Sequence, residues 1–106
     1  MINYTTPTIA LTVEDIDLTD QDIYVSVEQG DTELTKSGDD LTVAFSEGNT
    51  NITFTLTQIE SALFRYDRKV AIQVNWISSS GVRAATEIAT IPVMKNLLAE
   101  VIEYGD

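Results

Sequence analysis

Cysteine and histidine are both absent from this 106-residue chain, and the two absences remove a great deal of chemistry. Without cysteine there is no disulfide framework and no thiolate metal site. Without histidine the commonest general base, the commonest zinc and iron ligand and the usual pH switch are missing together. Cations are scarce too: six Lys and Arg stand against 17 Asp and Glu, for a formal net charge of −11. A surface of that sign repels phosphate backbones and anionic lipid, so neither nucleic acid nor membrane is an expected partner. No apolar run reaches membrane-spanning length. The opening Met1-Ile2-Asn3-Tyr4-Thr5-Thr6-Pro7 has neither the basic start nor the apolar stretch of a secretion signal, so synthesis in the cytoplasm is expected.

Nor does the chain contain a phosphate-cradling glycine loop or a serine elbow. Ser78-Ser79-Ser80 offers hydroxyls, yet with no histidine to take the proton a triad cannot be assembled, and the run reads as a turn. No enzymatic activity and no cofactor are expected. Asp15, Asp17, Asp20 and Asp22 are the strongest candidates for a metal site, because calcium wants several hard oxygens converging. Their spacing fails the EF-hand pattern: Thr19 follows Asp17, Asp20 stands where glycine is needed, and Ser26 occupies the place of the bidentate glutamate. The expected reading is a solvated loop whose aspartates cap turns, with no metal bound. Arg65, Arg68 and Lys69 around Tyr66 form a small basic patch, read as surface ion-pairing groups.

What the chain does have is alternation. From Lys69 to Ile77, Val70, Ile72, Val74 and the only tryptophan, Trp76, share one face while Gln73 and Asn75 take the other, the period-2 signature of a half-buried strand. Trp76 is expected inside, filling the gap between two layers. Similar patterns mark strands at 8–13, 23–28 and 50–57, weaker ones at 32–36 and 41–46, and a long return strand at 82–91 that Pro92 ends. Turn residues separate them at Gln29-Gly30-Asp31, Ser37-Gly38-Asp39-Asp40, Glu47-Gly48-Asn49 and Ser78-Ser79-Ser80-Gly81. The second and the last of these turns predict hairpins, 32–36 with 41–46 and 70–77 with 82–91. Glu14 to Gln21 is an acidic loop, with Ile16 and Leu18 expected to pin it to the core. Thr57-Gln58-Ile59-Glu60 has capping-box spacing and predicts one or two helical turns towards Phe64.

Seven strands with regular turn signals predict an all-β fold, a seven-stranded Greek-key sandwich of immunoglobulin-like type with the short helix at a crossover between sheets. An open barrel of similar strand count is the alternative. The missing cysteine pair, and a tryptophan on the sixth strand and not the third, exclude a true antibody-type domain. Residues 1–92 make up the sandwich and 93–106 a C-terminal arm. Within the arm Met94, Leu97, Leu98, Val101 and Ile102 recur at helical spacing, with Lys95, Asn96, Glu100 and Glu103 opposite. An amphipathic helix is the first expectation there and an extended arm the second. Those five apolar residues, with Tyr104, are the expected interface, because they form a set too large to leave in water. The charge distribution has two readings, of which the first is that the acids simply keep a β-protein soluble and the second is contact with copies of itself or a basic partner. Residues 1–47 carry −10 and residues 48–106 carry −1, so one half is strongly acidic while the other holds almost every cation, an arrangement suited to head-to-tail contact.

The acidic run Asp15 to Asp22 leading into Ile23-Tyr24-Val25, the Leu56-Thr57-Gln58 turn, the Ile72-Gln73-Val74-Asn75-Trp76 strand and the closing Leu97-Leu98 to Val101-Ile102 segment resemble small structural proteins of tailed phages and prophages of Gram-positive gut bacteria. That resemblance implies a non-enzymatic tail, neck or baseplate module, made in the host cytoplasm, located in the virion, and working by contact with itself or other virion proteins as an oligomer or part of a larger assembly. It supplies no catalytic residues. The alternative is an immunoglobulin-like binding module for carbohydrate or calcium-dependent adhesion, expected if the loop aspartates converge or if Tyr and Trp residues line an open groove.

Overall fold

A computed structural model describes residues 1–103, and in it the alternating stretches become strands: β1 (Thr8–Val13), β2 (Asp22–Gln29), β3 (Thr32–Ser37), β4 (Thr42–Ser46), β5 (Asn49–Thr55), β6 (Val70–Ile77), β7 (Arg83–Ala85) and β8 (Ala89–Ile91). One helix, α1 (Gln58–Ala62), and a 3-10 turn at Gly38–Asp40 complete the order. Two antiparallel sheets pack as a sandwich. The smaller has the order β1-β5-β4; the larger runs β3-β2-β6, with β7 and β8 both on the far edge of β6. Each strand turns its apolar positions inward. Val25 and Val27 of β2, Ile52 and Phe54 of β5, and Val70, Ile72 and Val74 of β6 meet between the sheets, joined by Leu18, Leu56 and Phe64 from the connections. Each such side chain contributes about 1.5–3 kcal/mol on burial.

The return strand expected at 82–91 is split in two by a bulge. Ile72 pairs with Ala89 and Asn75 with Ala85, so the two residues Gln73 and Val74 face three, Thr86, Glu87 and Ile88. The extra residue reverses the facing of the strand: Ala84 lies opposite Trp76 on the inner side, whereas beyond the bulge it is Ala89 and Ile91 that face inward. Thr86 fills the break, its N–H donating to the Val74 carbonyl at 2.9 Å and its Oγ1 accepting from the Val74 N–H at 3.1 Å. Between β1 and this bulged edge the sandwich is open, with a cleft of about 620 Å³ over Leu11, Val13, Val74 and Ala89.

Three expectations are corrected. Strands β3 and β4 do not form a hairpin; they lie in different sheets, and the 3-10 turn carries the chain across. Two-residue turns explain this. Gly30-Asp31 locks β3 onto β2, and Glu47-Gly48 locks β4 onto β5, so the looser Ser37–Leu41 connection is left to cross over. Trp76 continues the inward series and packs on the core, but it is half-buried, because Ala84 beside it is small and exposed. In the acidic loop only Leu18 is an anchor; Ile16 is exposed.

Candidate functional site

The acidic loop takes its shape from Thr50, a fully buried residue of β5. Its Oγ1 accepts from the Leu18 N–H at 2.9 Å and donates to the Ile16 carbonyl at 2.6 Å, so one hydroxyl fixes both sides of the turn. Asp17 Oδ1 accepts from the backbone N–H and the hydroxyl of Thr19 at 3.0 and 2.6 Å. The Thr19 hydroxyl, and then its backbone N–H, hold this carboxyl below the usual aspartate range. Among the described residues no three acids come together in a geometry that could hold a metal ion, so Asp15, Asp17 and Asp20 of the loop and Asp22 at the start of β2 do not converge on one.

A second region gathers at the end of the sandwich where the termini meet. Asn3 is buried, donating from Nδ2 to the Phe64 carbonyl at 3.5 Å and accepting at Oδ1 from the Asn96 N–H at 3.0 Å, while Asn96 Nδ2 returns a bond to the Asn3 carbonyl at 3.1 Å. Ile2 and Met94 form a parallel bridge, and Val93 is buried. Ser61 of α1 holds the N-terminal segment from the other side, accepting from the Thr5 N–H at 3.0 Å and donating to the Thr5 carbonyl at 2.6 Å. Residues 93–96 are thus part of the packed body. Beyond them, as far as Glu103, the chain forms neither helix nor strand and bends at Leu97, Leu98 and Glu100, so the expected helix does not form there. The Leu98 N–H is taken by Asn96 Oδ1 at 3.0 Å, and both backbone groups of Ile102 are taken by the Gln58 amide at 2.8 and 2.9 Å, so groups that a helical ladder would use are committed elsewhere. Of the expected interface residues, Met94, Leu97, Leu98, Val101 and Ile102 are all exposed, Leu97 at 94%. Tyr104 lies outside the described residues.

The third region is on the outer face of the larger sheet. Tyr24 of β2 points outward and is 44% exposed; its register partner across the ladder is Asn75 of β6. Arg83 at the start of β7 donates from Nη2 to Asn75 Oδ1 at 3.1 Å. With Ser26, Trp76 and Ile77 these residues line a hollow of about 360 Å³. Tyr24 and Trp76 were legible as aromatics, but Asn75, Arg83 and Ser26 join them only through strand pairing, which no local pattern discloses. The parity of β2 and β6 did place Tyr24, Ser26 and Asn75 on outward positions, and that is the one signal available beforehand.

Of the basic patch only Arg65 is ion-paired; Arg68 and Lys69 have no ion pair among the described residues. Arg65 forms a fork with Asp67, with Nη2 to Oδ2 at 3.0 Å, which lowers the Asp67 pKa, and Lys95 sits 5.4 Å from the centre of the Tyr66 ring. Tyr4, in a left-handed backbone conformation, lines a shallow hollow with Tyr66 and Lys95. No helix among the described residues is long and apolar enough to cross a membrane. The fold is that of an all-β two-sheet sandwich. Compared with known proteins, the chain matches no family model and no curated protein.

Proposed function

We propose that this chain is a non-catalytic assembly module that acts through protein–protein contact, with residues 97–103 of its C-terminal arm as the contact element and further copies of itself as the first partner. The observation that carries the reading is the arm. It is held against the body at two places, Asn96 on Asn3 and Ile102 on Gln58, yet Leu97, Leu98, Val101 and Ile102 turn to solvent. A tethered run of exposed apolar side chains is what an interface element looks like before its partner arrives. The setting, the tail or baseplate region of a phage or prophage virion, rests on the sequence resemblance. Replacing Leu97 and Val101 together by Glu tests the reading: self-association should be lost while the melting temperature stays put, and an unchanged association state would contradict it.

The alternative, a binding module for carbohydrate, is favoured by the hollow beside the outward-facing Tyr24. The calcium-dependent version has no converging carboxylates among the described residues to rest on.

A further inference from the structure

We infer that the outer face of the β2-β6-β7 sheet carries a binding site for a neutral saccharide, built on Tyr24, Asn75 and Arg83. This site lies on a sheet face and is formed without the arm, so it stands or falls separately from the assembly reading.

The chemistry follows from four observations. Tyr24 presents an exposed ring on a sheet face whose neighbouring outward residues, Ser26, Ser37 and Asn75, are small and polar. The electron-rich face of such a ring attracts the polarised C–H groups on the apolar side of a pyranose. Beside it the polar groups are fixed in advance. Arg83 occupies Asn75 Oδ1, which sets the amide and leaves its Nδ2 with no partner among the described residues, next to the remaining N–H groups of the guanidinium. Planar donors in fixed positions suit adjacent hydroxyls, each of which accepts and donates, and the Ser26 hydroxyl can serve in either sense. No acid lines the hollow, and the ion pairs among the described residues are Lys36 with Glu60 and Arg65 with Asp67, so Arg83 keeps its donors free of a carboxylate. Finally, the net charge of −11 opposes the approach of an anion, whereas a neutral polyol pays no such penalty. The volume of about 360 Å³ is near the low end for small-molecule sites, enough for a short saccharide and not for a long chain.

Trp76, the only tryptophan, faces inward on the same strand as Asn75 and borders the hollow, so its fluorescence is a built-in reporter of changes there. The test is a titration with neutral mono- and disaccharides (glucose, galactose, mannose, N-acetylglucosamine, cellobiose and lactose), read by Trp76 fluorescence and by amide chemical shifts. Glucuronate and a glutamate-rich peptide are run alongside. The expected result is a saturable response to at least one neutral sugar, with shifts centred on Tyr24, Ser26, Asn75 and Arg83. Tyr24→Ala and Asn75→Ala should each weaken it by roughly tenfold, the loss of one stacking or donor contact, while Tyr24→Phe retains binding. Both positions face outward, so the melts should not move; if one variant does melt early, the other carries the test. No saturable response to any neutral sugar, a response only to glucuronate or the peptide, shifts elsewhere, or undiminished binding by both alanine variants would each overturn the inference.

Discussion

At Thr50 one fully buried hydroxyl accepts from Leu18 and donates to Ile16. Thr50→Val keeps the shape and strands both backbone groups, so it should cost about 1–3 kcal/mol, read as a lower urea midpoint with unchanged slope. A variant as stable as the parent would mean that the loop is held by Leu18 alone. Gln29 follows the same logic from the opposite direction. From the sequence Gln29 falls in a turn; in the structure it continues the inward series Ile23, Val25, Val27, and its amide brackets the loop at Arg65 and Arg68, pairings that no local pattern discloses. Trp76 was readable as inward, but its exposure depends on Ala84, brought alongside by pairing. Trp76→Ala should accordingly cost about 2 kcal/mol, short of the ~3–5 kcal/mol of a fully buried aromatic. Calorimetry would decide between the two.

Helix α1 is five residues long and survives on its caps. Thr57 Oγ1 accepts from the Glu60 N–H at 3.1 Å, Glu60 Oε1 accepts from the Thr57 N–H at 2.9 Å, and Lys36 from β3 bonds both Glu60 oxygens at 2.9 and 2.8 Å. Burial pushes the Glu60 carboxyl up, but Lys36 and the Thr57 N–H outweigh it, and the net position is below the ordinary 4.5. A carboxylate lowered on folding lends stability above its unfolded pKa, and that stability is lost as pH falls through the folded value. Acid melts should therefore show a destabilising limb beginning near pH 4.5, and Glu60→Gln should flatten it while lowering stability at neutral pH by about 1 kcal/mol. An unaltered limb would assign it to Asp17 and Asp67, whose pKa values are lowered as well. The capping box was legible because its residues are local; the Lys36 partner was not. Turn chemistry shows the same division. Glu47 and Gly48 both have positive φ, 53 and 83°, the primed turn that fits a two-residue hairpin. Glutamate is a poor choice there, and Glu47→Asn should raise stability by about 0.5–1 kcal/mol, measurable as a higher melting temperature. The hairpin wrongly expected between β3 and β4 had the right residue types and one or two too many of them.

At the scale of the whole molecule, the two-layer all-β architecture was legible because period-2 alternation recurs in nearly every strand and each strand has one face to bury. The partition of strands between sheets was not, since it depends on which turns are tight. The arm is the sharpest conflict. Its apolar spacing favours a helix, but Asn96 and Gln58 take backbone groups that a helix would use, and positions where local preference and global structure disagree are where function concentrates. The boundary between body and arm is placed by Asn96, which completes the reciprocal pair with Asn3. A chain ending at Asn96 should keep the buried Val93 and that pair, whereas one ending at Pro92 should lose both and melt earlier. The most direct test of the account is sedimentation of the full chain beside the chain ending at Asn96, over a range of concentrations. The account predicts concentration-dependent association of the full chain and a monomer with the same melting temperature after truncation. A full chain that sediments as a monomer throughout, or a truncated one that associates equally well, would contradict it.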